Sequence, residues 1–241
     1  MMRRFGTGSV GRRGERGIAL LAALIVMAIV SAMGLGLALT TSLEPLAAAN
    51  YEANRSVRLA AEAGVAIAIH ELAGFADWNL VLAGGVGSAA LEHGDIDVGL
   101  PDGSRAGLEE LTARATCGHP RACPDGERVA FTVARPWGPN NPQWRVFGHG
   151  RLDRLIPMGG GLPPTVVVVW IADDPADVDG DPLTDSGVGP GGEWRSGGCV
   201  LAVRAEAFGP RFAHRAVLAT VARPDPDCGP GARLVSLRDL S

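Results

Sequence analysis

From residue 18 to residue 39 the chain carries 22 consecutive residues without a charge, most of them Leu, Ile, Val, Met or Ala. As a helix rising about 1.5 Å per residue the run is about 33 Å long, enough for a hydrocarbon core of about 30 Å. Gly34 and Gly36 are its interior weak points. In lipid the backbone has no other partner, so the helix is expected to persist through them. Beyond Thr40 the pattern changes without ceasing to be helical. Glu52, Arg55, Arg58, Glu62 and Glu71 are interleaved with Leu46, Val57, Ala61, Val65, Ala68 and Leu72 at steps of mostly three or four, an apolar stripe on a polar helix. Pro45 is expected to kink this helix and Gly74 to stop it. The pattern predicts one helix over 18–73, about 84 Å long, membrane-spanning over 18–40 and amphipathic over 41–73.

Residues 74–127 are rich in glycine and turn formers and are expected to be a loop-rich connector, with a short helix over 108–114. Then the period shortens to that of strands. Stretches 128–135, 144–152, 165–173, 199–209 and 213–223 are separated by chain breakers, and alternation is clear in Val129, Phe131, Val133 and in Val217, Ala219, Val221. Phe208-Gly209-Pro210-Arg211 between the last two predicts a hairpin. The expected fold class is α+β: a long N-terminal transmembrane and amphipathic helix, then an antiparallel β-sheet domain over 128–241, with the outer half of the helix covering one face of the sheet.

Charge gives this architecture a direction. Residues 1–17 hold Arg3, Arg4, Arg12, Arg13 and Arg16 against Glu15, a net +4, while the remainder holds 17 basic against 25 acidic side chains, a net −8. The positive-inside rule places the leader in the cytoplasm and the body across the membrane. An acidic body lacks the clustered Lys and Arg that displace counterions from phosphate, which excludes nucleic acid as a partner. Cys117, Cys123, Cys199 and Cys228 all lie beyond the apolar run. An even count there fits disulfides in an oxidising compartment. Free buried thiols and a metal site remain the alternatives, the latter without any C-x-x-C pair to support it. Cys117 with Cys123 closes a short loop and leaves Cys199 with Cys228, one of three possible connectivities.

The junction at Gly17 admits three processing chemistries. An ordinary secretory signal has an apolar stretch of about 7–15 residues before a small-residue exit. Here "LAAAN" at 46–50 supplies the exit, but the run is too long and Glu44 and Pro45 intervene. An uncleaved anchor is the second option. The third rests on a resemblance. A short basic leader ending in glycine, direct entry into a long apolar helix and an amphipathic continuation are similar to the N-terminus of type IV prepilins. The segment "SLEPLAAANYEANRSVRLAAEAGVAIAIHEL", with "AAEAG" at 60–64, resembles the N-terminal region of PilX-like minor pilins. The likeness covers residues 14–72, with a less specific echo in "AEAFGP" and "HRAV" at 205–210 and 214–217.

The resemblance implies cleavage between Gly17 and Ile18 by the membrane-embedded prepilin peptidase, N-methylation of Ile18, and insertion among other pilin subunits through the helix. It implies a route from the bacterial inner membrane, crossed once with the N-terminus cytoplasmic, to a periplasmic or extracellular pilus. The chain departs from major pilins at the fifth mature position, where they carry glutamate and this chain has Ala22. PilX-like minor pilins and the GspK-type pseudopilins of type II secretion include members that tolerate that loss, which points to the tip or to a sparse subunit.

The stretch "DDPADVDGDPLTDSG" at 173–187 holds Asp173, Asp174, Asp177, Asp179, Asp181 and Asp185 and no basic residue. Carboxylates on a loop bent by Gly and Pro suit Ca²⁺. The D-x-D-x-D spacing imitates an EF-hand, but glycine stands fourth instead of sixth and Val188 occupies the twelfth position. A solvated acidic loop is the alternative. "GTGSVG" at 6–11 has no strand before it and carries no nucleotide-binding meaning. Neither G-x-S-x-G nor H-E-x-x-H occurs, and His70, His93, His119, His149 and His214 are scattered, so no enzyme activity is expected. Trp137, Trp144, Trp170 and Trp194 are expected mainly in core packing. The expectation is thus a PilX-like minor pilin. The alternatives are a GspK-like pseudopilin and a membrane-tethered, calcium-dependent adhesion or ligand-binding module.

Overall fold

Strands adjacent in the chain pair in order to form the centre of the fold. The structure is a computed structural model that describes residues 15–155, 164–177, 180–185, 198–224 and 228–240. β3 (Arg145–Arg151), β4 (Val166–Asp173), β5 (Val200–Phe208), β6 (His214–Ala222) and β7 (Arg233–Leu240) make one antiparallel sheet, in the order β3-β4-β5-β6-β7. Before it come α1 (Glu15–Leu72), α2 (Asn79–Leu82), a hairpin of β1 (Asp97–Gly99) and β2 (Arg105–Gly107), α3 (Leu108–Cys117) and α4 (Asp125–Arg128). A single turn, α5 (Leu152–Leu155), follows β3. The architecture is α+β, as the pattern of hydrophobic positions predicts.

The chain divides into two units, residues 1–49 and 50–241. The first contains the apolar half of α1, which runs on as helix through Pro45. In the second, the amphipathic half of α1 lays its stripe on the sheet. Val57, Ala61, Val65, Ala68 and Leu72 are buried together with Val167, Val169, Ile171, Leu201, Val203, Ala205, Val217 and Val221. The opposite face of β4 buries Val166, Val168, Trp170 and Ala172 against Val98, Leu108, Leu111 and Trp144. All eight residues of β4 are therefore buried, which is why its sequence is an unbroken apolar run rather than an alternating one. Trp170 also donates from Nε1 to Thr112 Oγ1 at 2.9 Å, pinning α3 to that face. Trp144 and Trp170 are core residues, Trp137 is partly exposed, and Trp194 lies outside the described residues.

The end of α1 is closed by a backbone turn and by two side chains. The Gly74 amide donates to the Glu71 carbonyl at 2.9 Å, and Trp78 Nε1 donates to the Leu72 carbonyl at 3.0 Å. Arg223 lies over the Trp78 ring, 4.3 Å from its centroid, and donates to the carbonyls of Phe75 and Ala76. Carbonyls at and just beyond a helix end need such partners when buried, because water cannot reach them.

Three sequence expectations are corrected. Residues 128–135 are not a strand: Val129, Phe131 and Val133 are exposed. The Asn141 side-chain amide donates to the carbonyls of Arg128 and Ala130 at 3.0 and 2.9 Å, occupying acceptors that a ladder would use. The connector 74–127 contains the β1–β2 hairpin, and the helix expected over 108–114 continues to Cys117. The sheet also gains β7, which the hydrophobic pattern did not reveal.

Candidate functional site

Within the first unit, Gly17–Leu37 is a 21-residue segment of α1 long and apolar enough to cross a membrane, and none of it is buried. Ile18, Leu20, Leu21, Leu24, Ile25, Val26, Met27, Ile29 and Val30 all remain exposed. Gly17 and Ile18, the residues proposed for cleavage and methylation, lie in the first two turns of the helix. A Cβ added at Gly17, Gly34 or Gly36 would meet nothing within 4 Å, so among the described residues no neighbour demands glycine at any of the three. Ala22 places no carboxylate among these apolar side chains. Residues 1–14 of the basic leader lie outside the described residues.

The "AAEAG" stretch has a different place. Ala60 and Ala61 are fully buried. At Gly64 a Cβ would stand 2.7 Å from Val167 Cγ2 and 3.1 Å from Val169 Cγ2. These small residues let α1 settle onto β4 and β5 within the second unit. Glu62 points away and accepts a hydrogen bond from Arg58 Nε at 3.0 Å.

All four cysteines are in disulfides: Cys117 is bonded to Cys123 and Cys199 to Cys228, with Cα–Cα distances of 6.0 and 5.4 Å. The first ties the end of α3 to the following loop. The second joins the residue before β5 to the connection between β6 and β7, 29 positions later in the chain. Closing a loop of that length stabilises by roughly 3–4 kcal/mol in the chain-entropy picture.

Of the six aspartates, the fold gathers three. Carboxylate oxygens of Asp173, Asp177 and Asp185 lie within 4.8 Å of one another, the first two residues fully or almost fully buried. Asp173 is placed as the last residue of β4, paired with Leu201 of β5. The Asp177 amide closes a turn on the Asp174 carbonyl at 2.9 Å. Asp185 is held by its own amide, which donates to Asn79 Oδ1 at 2.6 Å, and by its Oδ1, which accepts from the Cys199 amide. Asp174 and Asp181 are not part of the group, and Asp179 lies outside the described residues.

Burial pushes the Asp185 carboxyl up to about 6, against the lowering effect of the Cys199 amide and of Arg223. Its folded-state pKa thus stands above the unfolded value of about 3.9. The protonated carboxyl therefore favours the folded state: this contribution is complete below about pH 4 and is lost as pH rises through about 6. Thermal melts between pH 4 and pH 7 should show stability falling across that window, and Asp185→Asn should flatten the fall. An all-oxygen, net negative donor set suits a hard cation such as Ca²⁺, which would offset the cost of burying these carboxylates in their charged form above pH 6. Three carboxylates do not by themselves fill the six to eight oxygen positions that Ca²⁺ takes.

Comparison with protein-family models, with curated proteins and with solved structures returns no match.

Proposed function

We propose that this chain is a PilX-like minor pilin, clipped after Gly17 and incorporated through α1 into a type IV pilus or its initiating tip complex. One observation carries the reading: a single helix has an outer half committed to the core of a β domain and an apolar N-terminal segment, Gly17–Leu37, of which no described residue is buried. Lipid covers such a surface before assembly, and the helices of sister subunits cover it afterwards. Close approach of helices in an apolar medium favours small residues, which Ala19, Ala22, Ala23, Gly34 and Gly36 supply. Prepilin peptidase is the processing partner, and N-methylated Ile18 the new terminus. Without a glutamate at Ala22 the subunit has no carboxylate there to pair with a neighbour's terminal amine, which suits the tip or a sparse position better than the shaft.

A GspK-like pseudopilin of type II secretion would follow the same route. GspK-type proteins usually carry a large inserted helical domain, whereas among the described residues the longest helix after α1 is the ten-residue α3. That favours the PilX-like reading. A membrane-tethered adhesion module would keep its leader and use the Asp173, Asp177 and Asp185 group.

Mass spectrometry of the mature N-terminus, in cells that contain prepilin peptidase, decides among these routes. The expected terminus is methylated Ile18. A terminus at Asn50 identifies a released protein, and intact Met1 or Met2 an anchor; either result defeats the filament reading. Recovery of the processed chain with sheared pili, rather than with secretion pseudopili, separates the two pilin-like readings.

A further inference from the structure

We infer that Glu92, Asp95 and His149 form a site for a divalent transition-metal ion, of which Zn²⁺ is the natural probe, at the outer edge of β3. This site does not depend on the filament reading.

Its scaffold is backbone pairing. The Glu92 amide donates to the His149 carbonyl and the His149 amide to the Glu92 carbonyl, both at 2.8 Å. Residues that exchange both hydrogen bonds in an antiparallel bridge stand directly opposite, with their side chains on the same face. Glu71 Oε1 fixes the approach to this bridge by accepting from the amides of Ala89 and Ala90, each at 2.8 Å. The approach is also close, since a Cβ at Gly148 would stand 2.6 Å from Leu91 Cβ. Gly94, at φ +89°, then turns the chain so that Asp95 returns toward the histidine.

The ligand atoms follow from that frame. His149 is only 3% exposed, and its Nε2 is buried without a hydrogen-bond partner. Asp95 Oδ2 stands 3.4 Å from it. A carboxylate oxygen of Glu92 lies within 4.8 Å of a ring nitrogen of His149 and of a carboxylate oxygen of Asp95. Two ligands bound tetrahedrally at about 2.1 Å from Zn²⁺ are themselves about 3.4 Å apart, the separation already present between His149 and Asp95. Glu92 closes the remaining gap by side-chain rotation, being exposed.

The neighbouring cations make their ion pairs with other carboxylates: Arg105, which also feels the charge of Asp95, pairs with Asp97, and Arg151 pairs with Asp153 at 2.7 Å. Arg154 is also drawn toward Asp153. One neutral imidazole and two carboxylates balance a 2+ ion. The nitrogen donor selects a borderline metal over Ca²⁺, which takes oxygen. Three protein ligands leave an open position for water or a fourth donor. The ion would fasten the segment that leads into β1 to the edge of the sheet.

The test uses the full chain in detergent, stripped with chelator and titrated with Zn²⁺ against a chromophoric competitor. One equivalent should bind and raise the melting temperature, because the ion binds the folded state. Glu92→Gln and Asp95→Asn, near-isosteric changes at exposed positions, should each weaken binding by at least about tenfold and the pair by more than 100-fold, since even loss of an outer-shell partner costs about 10–100-fold. His149→Ala should abolish the site, whereas His119→Ala should leave it intact. Co²⁺ in place of Zn²⁺ should give visible absorption bands that disappear in the double variant. If His149→Ala fails to fold, the two carboxylate variants still decide. Absence of stoichiometric binding, or binding that survives in the Glu92→Gln/Asp95→Asn chain, overturns the proposal.

Discussion

On the proposed pilin reading, replacing Gly17 with leucine should leave the basic leader on every copy of the chain, and no copy should reach a filament. In the structure Gly17 sits within α1, and the helix begins at Glu15. A peptidase needs an extended backbone, so the first turn must unwind locally before the bond to Ile18 can be cut. Glycine makes that step cheap, since it is about 1 kcal/mol less favourable in a helix than alanine. It also lets the catalytic carboxylates approach without a side chain in the way. Leucine reverses both effects, and among the described residues a Cβ at position 17 meets nothing within 4 Å that would compensate. Gly17→Ala restores only the helix preference and should be cut slowly.

The consequence reaches beyond the cut. An unprocessed chain keeps Arg3, Arg4, Arg12, Arg13 and Arg16 on its N-terminus. Dragging that charge through the bilayer is costly, at about 2.5–3.5 kcal/mol per residue on insertion scales. The chain should therefore fractionate entirely with the membrane. Intact-mass analysis of membrane and sheared-pilus fractions reads both effects. Normal processing of Gly17→Leu would show that the junction is not the processing site.

The extent to which the sequence disclosed this fold follows from where each element finds its partners. The apolar stripe on α1 was legible because Val57, Ala61, Val65, Ala68 and Leu72 all face one sheet, and a helix buried on one side must repeat at three and four. The four strands β3 to β6 were legible for a similar reason, since each contributes to a buried face. β7 contributes almost none. Seven of its eight residues are exposed, so Leu234, Val235 and Leu237 follow no inside–outside rhythm, and the strand exists because β6 offers it a ladder. The reverse error arose at 128–135. There Val129, Phe131 and Val133 alternate correctly, but the Asn141 side chain takes the carbonyls. Alternation is necessary for a half-buried strand and does not supply the neighbour that makes it one.

The sites divide along the same line. The apolar run and its basic leader are local, so they could be seen in order along the chain. The acidic loop was visible as composition, but the selection of Asp173, Asp177 and Asp185 from its six aspartates depends on how β4 ends and where Asn79 and Cys199 hold the returning chain. Glu92 and Asp95 meet His149 only through a bridge between segments more than 50 positions apart. No spacing rule reports that. A weak signal was present in Gly148-His149-Gly150, since glycines flanking a polar residue in a strand mark close approach of another backbone.

Gly64→Leu should remove the cooperative folding of the β domain. Gly64 lies on the buried face of α1, where even one added carbon would come within 2.7 Å of Val167 Cγ2, 3.1 Å of Val169 Cγ2 and 3.4 Å of Ala205 Cβ. Those three residues belong to the paired strands β4 and β5 and are completely buried. They have no free space into which to retreat, because β4 is packed on its other face as well. Alanine at this position should cost about 1–3 kcal/mol from overpacking, offset by about 1 kcal/mol of helix preference. For a chain of this size each net kcal/mol lowers the melting temperature by roughly 2–4 °C.

Leucine must place three further carbons in the same space, and relief requires lifting α1 off the sheet. That would expose Val57, Ala61, Val65 and Leu72 together, and burial of a large apolar side chain contributes about 1.5–3 kcal/mol. The combined loss approaches the whole stability of an ordinary domain, about 5–15 kcal/mol. Ala66→Leu is the matched control, since Ala66 is exposed on the same helix and the substitution should leave the transition unchanged. Melting of the full chain in detergent, followed by near-ultraviolet circular dichroism of Trp78, Trp144 and Trp170, separates the two variants. A transition for Gly64→Leu as sharp and as high as that of the parent would mean that α1 does not rest on the sheet at Gly64, and that the small residues of "AAEAG" serve some purpose other than this packing.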